Sequence, residues 1–423
     1  MNRRARRPRR KGSRGHGIRV RALRGQSAAR RRGVALVMVL LLTTILGAMA
    51  ADLQNATSVN LKLAANARDR LQAHFHARSA VQLELFFLRY SALLSKSPIG
   101  NFLPFSLADM SSFFVSSDTV KGLMKREGPS PDDDAHELDD FGEKKPFGTF
   151  AGSFWIEEVV DENRKINIGR EPVPGCNNPV HILLAGMIDQ PRYDKLFERI
   201  GESRDPVKSR LEIISNITDF VDVNRNIDPV CAFTGQSGGT ADENGRYENL
   251  PYNARYNAKN GKMHSLAELR LVPGINDAFM RLFADNLTVW TDRAALNVKE
   301  ASDQILIAVI RALMGRPTLP GDDERIKKFL EERALLRITP PPLNKLSKPA
   351  FEQLLAVAGI PINPSRKALL MDGNNAILKF DDPTAVYRIT AVGRVGDTTS
   401  TMTVVWRDSH RGGQGDVFYW RED

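Results

Sequence analysis

The sequence RRRGVALVMVLLLTTILGAMA, from Arg30 to Ala50, joins a basic segment directly to an apolar one. Gly33 separates the two, and no charged residue follows Val34 until Asp52. The 18 residues of this uncharged block would extend about 27 Å as a helix, just enough to cross a thin bilayer. The block therefore predicts a membrane-spanning helix near the N-terminus.

The positive charge of the chain is concentrated before this block. The 423 residues carry a formal net charge of +10. Residues 1–33 hold 14 of the 60 arginines and lysines and no acidic residue, so the rest of the chain has 46 basic and 50 acidic residues and a net charge of −4. A polybasic segment before an apolar span keeps that end in the cytoplasm. The body itself lacks the positive charge of a nucleic-acid binder.

The helical pattern continues beyond the apolar block. No proline or glycine occurs from Asp52 to Ser95. Apolar residues recur there at helical spacing, at Val81, Leu85, Leu88 and Ala92. Block and amphipathic stretch together predict one helix over 34–95. The alternative is a conventional signal peptide, cut at the small residues of GAMAADL and lost with the block. The unbroken pattern favours a retained helix.

Two groups of strands flank a helical region. A first pair is predicted at Ser153–Val160 and Lys165–Ile168, joined by a turn at DEN, after an irregular acidic segment. Near the C-terminus, AVYRITAVGRV and TTSTMTVVWRD flank Gly396 and Asp397, as a hairpin with a type II′ turn requires, and GDVFYWRED predicts a last strand. The intervening residues read as short helices punctuated by proline and glycine. The predicted fold is α+β: a long N-terminal helix packed on a small antiparallel sheet, with a large all-helical domain inserted between the strands.

The junction at Gly33 resembles the leader junction of type IV pilin-like prepilins, which place basic residues and a glycine before an apolar helix. That family usually has glutamate at the fifth position after the glycine, where this chain has Met38. The chain is similar in this respect to the minor pseudopilin K family of type II secretion systems. Further stretches resembling motifs of that family are KINIG (165–169), ITDFVDVN (217–224) and SLAELRLVPGI (265–275).

The resemblance implies a pilin-like fold and a processed N-terminus. A prepilin peptidase would cut between Gly33 and Val34 and methylate the new terminus. The apolar helix would then remain as a single-pass anchor in the bacterial inner membrane, with the body in the periplasm. The implied segments are a cleaved leader, an anchoring and assembly helix, the first part of the β domain, the inserted helical domain and the C-terminal strands, at 1–33, 34–95, 96–173, 174–375 and 376–423.

The resemblance also implies a structural rather than an enzymatic role. The chain would lie at the tip of the secretion pseudopilus, nucleate assembly with other minor pseudopilins, and contact secreted substrates. We expect its contact face to include the amphipathic stripe from Val81 to Ala92 where the body leaves it uncovered. A minor pilin of a type IV pilus is an alternative. A membrane-anchored DNA-binding protein is another, because LVPGI (271–275) and VAGIP (357–361) resemble helix-hairpin-helix turns, although the body's charge disfavours nucleic acid.

Oxygen-bearing side chains are dense after ITDFVDVN, at Asp219, Asp222, Asn224, Asn226 and Asp228. The last four alternate as in the first half of a calcium loop, but Ile227 and Phe233 replace the glycine and glutamate of an EF-hand. Asp242, Glu243 and Glu248 offer further carboxylates. The resemblance implies calcium, held by Asp219, Asp222, Asn224, Asp228, Asp242 and Glu243. The alternative is an Asx-rich turn that caps helices.

Two other motifs bear on chemistry. Cys176 and Cys231 are the cysteines of the chain, and export would allow them to pair, although two buried thiols are the alternative. GQSGG at 235–239 fits the nucleophile elbow of hydrolases, but that motif needs a strand before the serine and a helix after it. A glycine-rich loop is the better interpretation, so we expect no catalytic serine.

Overall fold

The computed structural model describes residues 26–95, 115–119, 152–169, 178–200, 205–232, 235–237, 242–247, 256–291, 295–299, 301–338, 346–372, 376–380, 386–408 and 415–423. Its contacts divide the chain into two units, Met1–Arg68 and Asp69–Asp423.

The first unit contains the start of helix α1, which spans Gln26–Ser95. The predicted long N-terminal helix is therefore present, and it begins eight residues before Val34. Within the described residues, one helix is long and apolar enough to cross a membrane, with a mean hydropathy of 2.5 over its most apolar window and none of that window buried. Its apolar side chains are exposed, as Leu36 is at 68%.

In the second unit, four strands form an antiparallel sheet. These are β1 (Ser153–Asp161), β8 (Val386–Val395), β9 (Thr398–Arg407) and β10 (Asp416–Glu422), in the spatial order β1-β8-β9-β10. The predicted β8–β9 hairpin is confirmed: Val395 pairs with Thr398, and Gly396 has a φ of 57° at the first turn position, as a type II′ turn requires.

The part of α1 that belongs to the second unit packs on this sheet through small residues. Ala77, Ala80 and Val81 are fully buried against strand residues such as Ile389 and Met402. The backbones approach so closely that a Cβ at Gly393 of β8 would lie 2.0 Å from the carbonyl oxygen of Ala73. Glycine and alanine therefore determine how near the helix lies to the sheet.

The residues between β1 and β8 form a mainly helical insert. Its helices are α2 (Pro179–Ile188), α3 (Asp194–Ile200), α4 (Pro206–Asp219), α5 (Asp277–Phe283), α6 (Asp303–Met314), α7 (Asp322–Ile338), α8 (Lys348–Val357) and α9 (Pro364–Lys367). They surround one hydrophobic core that includes the fully buried Phe279, Phe329 and Phe351. The predicted α+β fold class is thus confirmed.

The insert is not purely helical, which corrects one detail of the prediction. Its described residues form three two-stranded ladders: β2 (Ile166–Asn167) with β5 (Leu287–Thr288), β3 (Val230–Ala232) with β4 (Gly235–Ser237), and β6 (Leu296–Asn297) with β7 (Leu378–Lys379). The two pairs β2–β5 and β6–β7 are parallel and join segments distant in sequence. Strands of two or three residues have no periodicity from which to predict them.

The insert also begins and ends at other residues than predicted. Asp161 Oδ1 accepts a hydrogen bond from Asn163 N at 2.9 Å and starts a 3-10 turn over Glu162–Arg164. This turn directs the chain away from the sheet, so the predicted strand at Lys165–Ile168 contributes β2 to the insert instead. Similarly, β7 pairs within the insert, and the C-terminal part of the sheet starts at Val386 rather than at 376.

The other sequence motifs lie in ordinary structural positions. LVPGI connects a 3-10 helix over Leu266–Leu271 to α5, and VAGIP follows α8. Ser237 of GQSGG is the last residue of β4, in an antiparallel pair with β3, so the strand–turn–helix geometry of a nucleophile elbow is not formed around the described part of the motif.

Candidate metal centre

The predicted acidic site lies where α4 ends. Asp205 begins the helix by accepting a backbone hydrogen bond at 3.0 Å, and Asp219 is its last residue. Residues 220–228 then form an irregular loop rich in Asp and Asn, which favour such turns by bonding to the nearby backbone. One example is Asn224, whose Oδ1 accepts a hydrogen bond from Asn226 N at 2.6 Å. These local bonds shape the loop around its acids.

Three carboxylates meet at this loop. Asp219, Asp222 and Asp228 are buried, and one oxygen of each lies within 4.8 Å of the others. Asp219 Oδ1 accepts a hydrogen bond from Asp228 N at 2.9 Å, which closes the loop onto the helix end. Charges of one sign at this spacing repel each other unless protons or cations compensate them.

Asp219 differs from the other acids because both of its oxygens are already occupied. Beside the Asp228 amide on Oδ1, its Oδ2 accepts hydrogen bonds from Ser215 Oγ at 2.8 Å and from the Arg246 guanidinium at 3.1 Å. A carboxylate with this many donors holds the surrounding structure in place. We therefore interpret Asp219 as the scaffold of the site rather than as a ligand.

The oxygens with spare capacity belong to Asp222 and Glu243. Glu243 is fully buried at the start of a 3-10 helix over Glu243–Arg246, and its backbone N–H bonds to Arg225 O at 3.1 Å, which joins the two segments. Considering the described residues alone, neither oxygen of Glu243 nor Oδ1 of Asp222 accepts a hydrogen bond of normal geometry. Buried carboxylates without donors are costly, so a ligand fits here better than an empty space.

The pKa values of these acids also differ between Asp219, which accepts several hydrogen bonds, and Asp222 and Glu243, which have oxygens unpaired among the described residues. Burial, together with the charges of Asp228, Asp219 and Glu243, raises the pKa of Asp222 to about 8. Burial raises the pKa of Glu243 to about 7, against a smaller lowering by the side chain of Asn260. The pKa of Asp219 rises only to about 6, since burial is offset by its hydrogen bonds and by Arg246. Burial also raises the pKa of Asp228.

The set of candidate ligand atoms fits a hard cation. Every candidate atom is a carboxylate oxygen, the ligand type that Ca²⁺ and Mg²⁺ prefer, and a divalent charge would relieve the repulsion that raises these pKa values. The more flexible coordination of Ca²⁺ suits an irregular loop better than the strict octahedron of Mg²⁺.

Two of the predicted ligands have other roles in the structure. Asn224 donates from Nδ2 to Asp222 Oδ2 at 2.8 Å, and its own Oδ1 is bonded within the loop. Asp242 is exposed and caps the 3-10 helix, because its Oδ1 accepts from Asn244 N at 3.0 Å. These two residues make the local hydrogen bonds that the Asx-turn alternative predicts. Glu248 lies outside the described residues.

Sequence analysis missed the neutral and cationic partners of the site, Ser215, Arg246 and Asn260. Asn260 has a φ of 49°, its backbone N donates to Phe220 O at 3.1 Å, and its Nδ2 donates to Asn224 O at 3.1 Å. It thereby braces both ends of the first half of the loop. The dipeptide Asn260–Gly261, which favours a left-handed turn, was the available signal.

An aromatic pair adjoins the cluster. Tyr247 is 2% exposed, and its ring centroid lies 5.5 Å from that of Tyr256. Burial, with a contribution from the charge of Glu243, raises the pKa of Tyr247. The site thus has a buried phenol beside its acids.

The body covers part of the predicted contact face of α1, and the side chain of Ala92 lies outside the described residues. Val81 is 0% exposed and Leu88 is 2% exposed, because the apolar stripe of an amphipathic helix faces its own core. The exposed apolar residues of this part of the helix lie elsewhere, at Leu71, Phe75, Phe86 and Tyr90. The last two rings are stacked with centroids 6.4 Å apart.

The remaining predicted residues are only partly described. Gly33 and Val34 lie within α1, so the predicted processing site is inside a continuous helix. Cys231 belongs to β3, whereas Cys176 is outside the described residues, and their pairing stays a prediction.

Comparisons with known proteins include a likeness to a solved structure. No family model and no curated protein matches the chain. Among solved structures, it is similar to a chain of the GspK-GspI-GspJ complex from the type 2 secretion system of enterotoxigenic Escherichia coli, with 13% identity and a TM-score of 0.37. The match covers 82% of this chain and 98% of that one. At these values the likeness carries no functional argument.

Proposed function

We propose that this chain is a minor pseudopilin of a type II secretion system, present once at the tip of the pseudopilus. The observation that carries this proposal is the division of α1. Its first part is apolar and exposed after a basic segment, and its second part packs through small residues on a sheet that a large insert divides. Such a helix suits a protein that is anchored in a membrane and assembles through its helix.

The proposal includes processing at Gly33. A prepilin peptidase would cut between Gly33 and Val34, methylate the new terminus, and leave the helix in the inner membrane with the body in the periplasm. The absence of any break in α1 beyond Ala50 supports retention of the apolar segment. The intact mass of the mature protein tests this point, and an N-terminus at or beyond Ala51 would reject it.

Two features support a position at the tip: the residue at position 38 and the size of the insert. Met38 stands where a glutamate would offset the terminal amine of a neighbour, so this chain lacks a contact suited to repeated addition. The insert, at residues 162–385, would have a radius of gyration of about 17 Å by compact-domain scaling. This bulk is difficult to repeat at each step of a thin filament, but an end can accommodate it.

The exposed stripe of α1 supports contact with other minor pseudopilins. Phe86 and Tyr90 are 63% and 52% exposed on the face opposite the sheet. Large aromatic side chains that are exposed, rather than packed in the protein's own core, are typical of interface anchors. We assign this stripe, in place of the predicted one at Val81 and Leu88, as the contact face.

Calcium completes the proposal as a structural ion. Asp222 and Glu243 would hold it through their unpaired oxygens, with Asp228 beside them and Asp219 as the scaffold. Bound calcium would neutralise the acids and join the loop at 220–228 to the 3-10 helix over Glu243–Arg246. No step of a reaction is assigned to it.

Copy number and partner capture test the main proposal. Isolated pseudopili should contain about one copy of this chain, and the full chain in detergent should co-purify with the other minor pseudopilins of its own system. Phe86→Ser with Tyr90→Ser should abolish that capture. Leu335→Ser is the matched control, since Leu335 is 61% exposed on α7 of the insert. Many copies along the filament, or equal loss with the control, would contradict the proposal.

A further inference from the structure

Arg246 makes an ion pair inside the acidic cluster. Its side chain is 19% exposed, and one guanidinium nitrogen lies 3.1 Å from Asp219 Oδ2. The same nitrogen donates to Ser215 Oγ at 3.1 Å and to Asn216 Oδ1. These bonds hold the guanidinium group against the end of α4. It lies beside Asp219, whose two oxygens already accept hydrogen bonds and are not available to a metal.

The location of Arg246 matters because the site has an excess of negative charge. With Asp219, Asp222, Asp228 and Glu243 ionised, the cluster carries four negative charges and Arg246 supplies one positive charge. Among the ion pairs of the described residues, those made by the cluster involve Arg246. Three negative charges thus stay uncompensated until a divalent cation binds, and the arginine is already present when it arrives.

We infer that Arg246 is a resident counter-ion that sets the affinity of the cation site, an inference that rests on the proposed calcium binding. In the metal-free protein it offsets part of the repulsion among the acids and so stabilises the fold. In the loaded protein it repels the bound cation at short range and so weakens binding. Arg246 thus raises the stability of the metal-free protein but lowers its affinity for calcium, because the guanidinium and the metal ion compensate the same negative charges.

A merely structural arginine would behave differently. If Arg246 only positioned Asp219, its removal would loosen the site and weaken calcium binding along with stability. The sign of the change in affinity therefore separates a counter-ion from a structural brace.

The experiment compares three variants of the full chain in detergent. Arg246→Gln removes the charge and keeps a donor, whereas Arg246→Lys keeps the charge. Arg225→Gln is the matched control, because Arg225 is an exposed residue of the same loop with the same charge. Calcium affinity is measured by titration calorimetry, and terbium bound at the site is followed by luminescence sensitised through Tyr247. Thermal unfolding is recorded with chelator and with saturating calcium.

We expect Arg246→Gln to unfold at a lower temperature in chelator but to bind calcium at least about ten-fold more tightly. Arg246→Lys and Arg225→Gln should stay within about two-fold of the wild type in affinity. Should Arg246→Gln fold only with calcium, the inference is supported, since the metal replaces the missing charge. Unchanged or weaker binding, or failure to fold even with calcium, overturns it. A wild-type chain that binds no calcium or terbium would instead refute the proposed calcium site.

Discussion

Replacing Asp222 by asparagine should stabilise the metal-free protein and abolish its response to calcium. Asparagine has the same shape and its oxygen can still accept the hydrogen bond from Asn224 Nδ2. It cannot ionise, so the buried charge disappears together with a ligand. A single substitution should thus improve stability in chelator and reduce it, relative to the wild type, in calcium.

The magnitude follows from the pKa of Asp222, which burial and the neighbouring acids raise from 3.8 to about 8. A group whose pKa is higher in the folded state contributes stability below its unfolded pKa and loses it as pH rises toward the folded pKa. The loss for Asp222 therefore extends from about pH 4 to pH 8. At about 1.4 kcal/mol per unit, roughly 4 units correspond to about 5 kcal/mol at pH 8. The variant avoids this loss.

Denaturant unfolding of the full chain in detergent, at pH 5 and pH 8, measures the effect. In chelator the gain of Asp222→Asn over the wild type should be small at pH 5 and several kcal/mol at pH 8. Calcium should stabilise the wild type and leave the variant unchanged. Asp242→Asn is the control, since Asp242 is an exposed acid beside the site that retains its capping oxygen. A variant that is no more stable than the wild type at pH 8, or that still responds to calcium, would refute the reasoning.

Three further experiments test the fold. In denaturant unfolding, Gly393→Ala should destabilise the chain by about 3 kcal/mol or more, because the added Cβ would lie 2.0 Å from a carbonyl oxygen of α1. The control Gly245→Ala should be nearly neutral, because a Cβ there would have no atom within 4 Å. Burial lowers the pKa of His181 from 6.5 to about 4, so its contribution is present above pH 6.5 and lost as pH falls to 4. His181→Leu should remove about 3 kcal/mol of that acid sensitivity in a pH series of unfolding curves. Titration of the unfolded, unreduced chain should find no free thiol at Cys176 or Cys231, whose bridge would stabilise by about 4 kcal/mol; two free thiols would contradict it.

Elements with long, regular patterns were predictable from the sequence. The helix pattern from Val34 onward extends over many turns, and the β8–β9 hairpin combines ten-residue strands with a glycine turn. Each such element carries its own evidence along the chain. The ladder of β2 and β5 carries none, because Ile166 pairs with Leu287 and each strand has two residues. Pairing of this kind depends on tertiary packing, which no local window contains.

The face of a helix is harder to predict than the helix itself. The sequence shows that the stripe through Val81 and Leu88 is apolar but leaves open how much of it the body covers, and in the structure both residues are buried against the sheet. Periodicity shows that a helix has an apolar side and does not show what covers it. Here the small residues Ala73, Ala77 and Ala80 were the missing clue, because they permit a close approach to Gly393 that large side chains would prevent.

The site shows the same distinction between residue type and role. Spacing identified Asp219 and Asp222 as equivalent acids, yet one has three donors on its oxygens and the other has an oxygen with none among the described residues. The difference comes from Ser215, one turn earlier in α4, and from Arg246, 27 residues beyond Asp219. A carboxylate becomes a scaffold when donors saturate it, and a ligand when burial leaves it unsaturated. Donor count in the folded chain, rather than the spacing of acids, therefore determines which of these residues is available to a cation.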